Sequence, residues 1–187
     1  MTNEQAFEML GNQVAEVVLI AVRNELVAQG HKMTGDLYNS IQYAVKAEAS
    51  KVIIDYSFLE YGMVLNYGIS PDKIPYSPGS GAKKSQFIEG LKRFVEKRIG
   101  KTGKEAEGIA FAIAKKMKAE GMPTKNSYKY SSNGRRLNWI GEGLKEANPK
   151  VVEIIDKVFS ETINALVVSA FTEISKKNSE NLKVTVK

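Results

Sequence analysis

Apolar residues recur at three- and four-residue steps near the start of the chain, at Phe7, Leu10, Val14, Val17, Val18 and Ala21. That period stacks side chains on one face of an α-helix, so a helix is predicted from about Glu4 to Gln29. Gly30 follows it, where glycine most easily supplies a left-handed stop. The stripe is too apolar to face water and calls for a partner surface. The pattern then changes. Residues 38–47 and 51–56 hold Tyr43, Val45, Val52, Ile53, Ile54 and Tyr56, types that suit a pleated surface, and two strands are predicted there. Ala49-Ser50 is the short connection between them. Thr34-Gly35-Asp36 reads as a turn that aims Leu37 and Ile41 into the core, with Gly35 free to take a positive φ.

Pro71, Pro75, Pro78, Gly79 and Gly81 then mark residues 68–84 as a loop. Helical spacing returns over about 85–99, with Phe87, Leu91, Phe94, Val95 and Ile99. A further helix is predicted from Lys104 to Glu120, ended by Gly121 and Pro123. Residues 124–137 are polar, basic and tyrosine-bearing, and read as a long loop. The last major helix is predicted to start with Asn148 as N-cap and Pro149 at the first helical position. The alternation in Leu182-Lys183-Val184-Thr185-Val186 reads as a terminal strand, added to this chain's own sheet or to a neighbour's edge. The elements predict one α+β domain over residues 1–187. A small antiparallel sheet packs against long N- and C-terminal helices, and residues 70–136 form a largely helical insertion.

Composition narrows the chemistry. The chain of 187 residues holds no cysteine, which excludes disulfides, thiol catalysis and thiolate metal sites. The apolar run Val17–Val22 falls far short of the ~20 residues that span a bilayer. Glu4 and Glu8 stand where a signal peptide carries positive charge, which argues against export by that route. The net charge of +6 is unevenly placed. Residues 1–30 set Glu4, Glu8, Glu16 and Glu25 against Arg23, whereas Lys115 to Arg136 carry seven cations against Glu120. Such a segment suits phosphate or an acidic protein surface, or is a solvated face.

The order of Thr34-Gly35-x-Leu37-x-x-Ser40-Ile41, a strand pair, and Tyr61-Gly62-Met63-Val64-Leu65-Asn66-Tyr67-Gly68 resembles the tail-completion (head–tail joining, neck) proteins of tailed bacteriophages, including lambdoid siphophages. In that family a Thr-Gly-x-Leu-x-x-Ser-Ile element links the first helix to the sheet. A second element, commonly Tyr-Ala-x-Tyr-x-Glu-x-Gly, closes the sheet; here Gly62 replaces the alanine and Asn66 the acid. Trp139-Ile140-Gly141-Glu142-Gly143-Leu144 fills the place of an aromatic–aliphatic pair with a small-residue helix start, without the family's frequent prolines. The resemblance implies a structural virion subunit, assembled in the host bacterial cytoplasm, that forms a ring between portal or adaptor and tail. Its partners are then its own copies, portal-side or adaptor proteins and tail proteins. Thr34, Gly35, Leu37, Ile41, Tyr67 and Gly68 are the residues expected to define the fold, and the loops at 70–84 and 124–136 to make contacts. The resemblance implies no catalytic residues, cofactor, metal or membrane.

Three candidate chemistries compete with that reading. Pro78-Gly79-Ser80-Gly81-Ala82-Lys83-Lys84-Ser85 departs from the G-x-x-x-x-G-K-[ST] spacing and lies in a proline-rich loop, so nucleotide binding is not expected. His31 is the sole histidine, expected to cap the first helix or lie exposed. Glu142 and Glu146 lie four apart, as on a solvated helix face. The basic loop is the more informative segment. Tyr128 and Tyr130 interleave with Lys125, Lys129, Arg135 and Arg136, a pattern that can stack bases while cations hold phosphates. Tyrosine and arginine are also enriched at protein interfaces. Protein contact is the favoured reading. Contact with genomic DNA in the ring lumen, or a free protein that binds nucleic acid without sequence preference through this loop, is the alternative.

Overall fold

The computed structural model describes residues 3–48, 51–79 and 85–184, with side chains as far as residue 177. Helix α1 (Asn3–Ala28) leads into a short helix α2 (Asp36–Ser40), then strands β1 (Gln42–Ala47) and β2 (Val52–Ser57). Helices α3 (Tyr61–Tyr67), α4 (Gln86–Ile99), α5 (Gly103–Glu120) and α6 (Trp139–Val184) follow, with 3₁₀ turns at Pro71–Lys73 and Lys125–Tyr130. The molecule is therefore α+β, mostly helical, with long helices at both ends.

The core forms where α1 meets α6 and the hairpin. Val18, Leu19, Val22 and Leu26 from α1 are buried with Leu37, Ile41, Trp139 and Ala147. The buried side of α1 runs through Gly11, Ala15, Val18, Val22, Glu25, Leu26 and Gln29, so Phe7, Leu10 and Val14 lie at its edge, half-buried. The hairpin is antiparallel, with Tyr43 opposite Tyr56 and Val45 opposite Ile54. Alternation turns Tyr43, Val45, Ala47, Val52, Ile54 and Tyr56 to its more buried face, as a half-buried sheet requires. A Cβ on Gly11 would stand 2.6 Å from Val45 Cγ1 and 2.7 Å from Val52 Cγ1, so glycine sets how closely α1 lies on the hairpin. The Tyr56 hydroxyl donates to Ala15 O at 3.1 Å across the same contact.

Helix α1 ends at Gly30 (φ 72), with Gly30 N–H donating to Val27 O and His31 N–H to Leu26 O. This is the bonding of a Schellman stop, as the glycine predicts.

Four expectations are corrected. Residues 38–40 are helical: left-handed Gly35 (φ 92) opens α2, and the Arg23 guanidinium donates to Tyr38 O at 3.1 Å and Ile41 O at 2.8 Å. Those bonds hold the turn, so the strand begins only at Gln42. Tyr61–Tyr67 adds no strand to the sheet; it is helix α3. The last helix starts at Trp139, with Pro149 inside it. The Trp139 indole is fully buried and donates to Gly62 O at 3.1 Å, while Asn66 Oδ1 accepts from Ile140 N–H at 3.0 Å. An acceptor from α3 thus supplies the cap that Asn148 was expected to provide. Pro149 and Lys145 are both exposed, so the helical bond that proline removes is lost on the solvent side. Finally, residues 182–184 continue α6 and form no strand. Residues 185 and 186 of that expected strand, the Ala49-Ser50 connection and residues 80–84 lie outside the described residues.

The helical excursion is pinned at its base. Ile69 and Met122 exchange two backbone hydrogen bonds of 2.8 Å. Gly68 (φ 76) and Gly121 (φ 84) flank this bridge, and a Cβ on either would run into the opposite carbonyl, Met122 O or Ile69 O respectively. Beyond this bridge, residues 131–136 bond back to the end of α1. Within the excursion, Ala106, Ala110 and Ala114 are buried on α5, where small side chains allow close approach to α4 and its buried Ile88 and Val95.

Candidate assembly surface and basic cleft

Helix α6 contains 46 residues and divides into two unlike parts. Its first turns belong to the core: Trp139 and Ala147 are buried, and a Cβ on Gly143 would meet the Val22 backbone at 2.6 Å. Every residue from Phe159 to Lys177 is exposed, about 28 Å of helix at 1.5 Å per residue. This part is apolar. Phe159, Ile163, Leu166, Val167, Val168, Phe171 and Ile174 all face solvent, with Leu166 65% and Phe171 66% exposed. No charged residue occurs from Thr162 to Thr172. Thr162 and Thr172 donate to the helix's own carbonyls, Val158 O and Val168 O, both at 2.8 Å. A helix apolar around most of its circumference is ordinarily buried on more than one side. A contiguous exposed patch of this kind marks an interaction surface. No helix among the described residues is long and apolar enough to cross a membrane.

The loop before α6 is built into the body. Arg135 Nε donates to Glu25 Oε1 at 3.1 Å, and its NH1 lies 3.3 Å from Glu142 Oε2. Glu25 is only 4% exposed, and also accepts from Gln29 Nε2 and Asn133 Nδ2, each at 2.9 Å. The buried carboxylate is thus surrounded by donors, and its nearness holds the Arg135 guanidinium more firmly protonated. Arg136 NH1 donates to Gln29 O at 2.6 Å. Ser131 and Ser132 hydroxyls both donate to Ala28 O. Arg135 and Arg136 therefore fasten the loop to the end of α1. Lys125, Tyr128, Lys129 and Tyr130 remain on the exposed side, with Lys129 Nζ 5.1 Å from the Tyr130 ring centre.

Where α4 passes the 30–38 segment lies a cleft of about 470 Å³. Its cations are Lys32, Arg93, Lys97, Arg98 and Arg136; its carboxylate is Asp36. Asp36 Oδ2 already accepts from the Thr34 hydroxyl at 2.6 Å. Arg98 NH1 donates to Lys32 O at 3.1 Å, tying α4 to this segment. Burial and the charge of nearby Arg98 push the Arg136 guanidinium down from its ordinary value, and its buried Nε has no hydrogen-bond partner among the described residues. Burial and the Arg136 charge lower His31 to about 4, so its ring is neutral at pH 7; its Nε2 lies 3.2 Å from Arg136 O. His31 is thus half-buried and structural, neither a side-chain cap nor freely exposed.

The expected fold residues separate. Leu37 and Ile41 are in the core, and Gly35 and Gly68 occupy positive-φ positions. Thr34 braces the start of α2 through Asp36. Tyr67 is 72% exposed, so its side chain does not define the fold; the neighbouring buried Asn66 does that work. Asn66, Glu25 and Gln29 are the residues the sequence reading missed, along with the Arg93–Lys97 pair on α4. Glu25 and Gln29 fall on the buried side of the α1 period, which was the available signal. Among the described residues no group of three metal-ligating side chains occurs. No protein-family model matches this chain, and neither a curated protein nor a solved structure matches it.

Proposed function

We propose that this protein is a structural assembly subunit, a ring-forming neck or tail-completion protein of a tailed bacteriophage that joins the portal or adaptor side to the tail. It works through surfaces, without turnover. The observation that carries the assembly reading is the bare apolar half of α6. Each copy presents the same uncharged, apolar length of helix, and copies packed side by side would cover one another's. The phage assignment rests on the sequence resemblance through Thr34, Gly35, Leu37, Ser40 and Ile41. The contact loops of the reading are residues 70–84 and the exposed part of 124–136. Nucleic-acid binding by the latter loop has less to work with, because Arg135 is already paired with Glu25 and Glu142 and Arg136 is bound to Gln29 O.

Light scattering coupled to size-exclusion chromatography tests assembly directly. A discrete oligomer that falls to monomer when Leu166 and Phe171 are changed to glutamate supports the reading. A wild-type chain that stays monomeric up to high concentration, and is absent from purified tailed particles by quantitative mass spectrometry, overturns it.

A further inference from the structure

We infer that the cleft between α4 and the 30–38 segment is a phosphate-binding site, and that its ligand is the phosphodiester backbone of a nucleic-acid strand. Five cations line it against one carboxylate, and none of the five makes an ion pair among the described residues. Cations brought together in this way repel one another unless an anion joins them. Arg98, exposed, and Arg136, half-buried, are two of these cations. A multiply charged partner fits better than a single carboxylate, and a nucleic-acid strand carries one charge per nucleotide.

The cleft also holds Tyr61 and Phe94, beside a Tyr38 ring already met by Arg23 at 5.0 Å and Lys32 Nζ at 4.4 Å. Aromatic planes beside a run of cations are the features that hold single strands without reading sequence. Arg93 and Lys97 lie one turn apart on α4, both exposed, and are the residues placed to meet phosphates from solution. Arg98 and Arg136 are held by backbone carbonyls and frame the site. The volume lies within the ~300–1,000 Å³ of clefts that take a ligand. This assignment stands whether or not the protein forms a ring, and moves the nucleic-acid contact away from the 125–130 loop.

Fluorescence anisotropy of a labelled single-stranded DNA of about 20 nucleotides tests it with the full chain at about 50 mM and 200 mM salt. Arg93→Ala/Lys97→Ala should weaken binding roughly tenfold at the lower salt and lessen the salt dependence by one to two released counterions, about 0.7 in slope for each. Lys125→Ala/Lys129→Ala should stay within about twofold of wild type, circular dichroism confirming that both variants fold. Binding of pyrophosphate or ATP but not the oligonucleotide, lost in the α4 variant, would keep the phosphate site and reassign its source to a free nucleotide. No binding of any of these probes, loss in the loop variant alone, or equal competition by polyglutamate of matched charge would overturn the assignment.

Discussion

Asn66 and Ile140 are joined by a 3.0 Å hydrogen bond in which the buried amide oxygen of one satisfies the first turn of the other's helix. The Asn66 carbonyl also accepts from Asn138 N–H at 2.7 Å, so one residue of α3 fixes both the approach to α6 and its start. Asn66→Leu leaves the Ile140 amide unpaired and should destabilise the fold by about 1–3 kcal/mol, read from the urea midpoint. Asn66→Asp retains an acceptor at a helix N-terminus and should lose less.

Gly68 and Gly121 each hold a conformation that side chains resist, beside a carbonyl that leaves no room for a Cβ. Gly68→Ala or Gly121→Ala should each cost about 1–3 kcal/mol from the backbone alone, with the contact adding to it. Hydrogen exchange should show the Ile69 and Met122 amides losing protection before those of α1.

His31 gives stability a pH dependence of definite sign. Its folded pKa of about 4 lies below the ordinary 6.5, so between these values the unfolded chain binds more protons. The contribution is fully present above about pH 6.5 and is lost as pH falls toward 4. Full burial would set the loss near ~3 kcal/mol; the partly exposed ring should give about 1–2 kcal/mol. Urea midpoints at pH 7, 5.5 and 4 check this, and His31→Gln should flatten the difference between them.

Arg135→Ala should lower the urea midpoint, because Glu25 stays buried with fewer donors around its carboxylate. Lys129→Ala, on the exposed side of the same loop, should leave the unfolding free energy unchanged within about 0.5 kcal/mol. The contrast separates the cations that hold the loop from those that face solvent.

Much of the architecture was legible because local rules agreed with the global fold. The period of α1 and the glycine at its end suffice to place that helix. The β-branched and aromatic residues of 42–47 and 52–57 suffice for the hairpin. Where the reading failed, a distant partner outweighed a good local signal. Asn148-Pro149 is a sound helix start in isolation, yet Asn66 caps the helix at Ile140 and Gly62 O anchors the Trp139 indole. Tyr38 suits a strand, but Arg23 holds its carbonyl in a helical turn. The basic loop was legible as charge and not as geometry, since Glu25 and Gln29, the partners of Arg135 and Arg136, lie over a hundred positions away.

The bridge between Ile69 and Met122 makes the segment between them a replaceable module. Its two ends sit one hydrogen-bonded pair apart, and Arg98 adds a second tie from α4 to Lys32 O. The entropy of closing a loop grows only logarithmically, about 0.6 kcal/mol for each doubling of length. The α4–α5 pair could therefore be shortened, extended or exchanged for another compact unit while Leu26, Ile41 and Trp139 keep their packing. Shape at the periphery is free to change here without renegotiating the core.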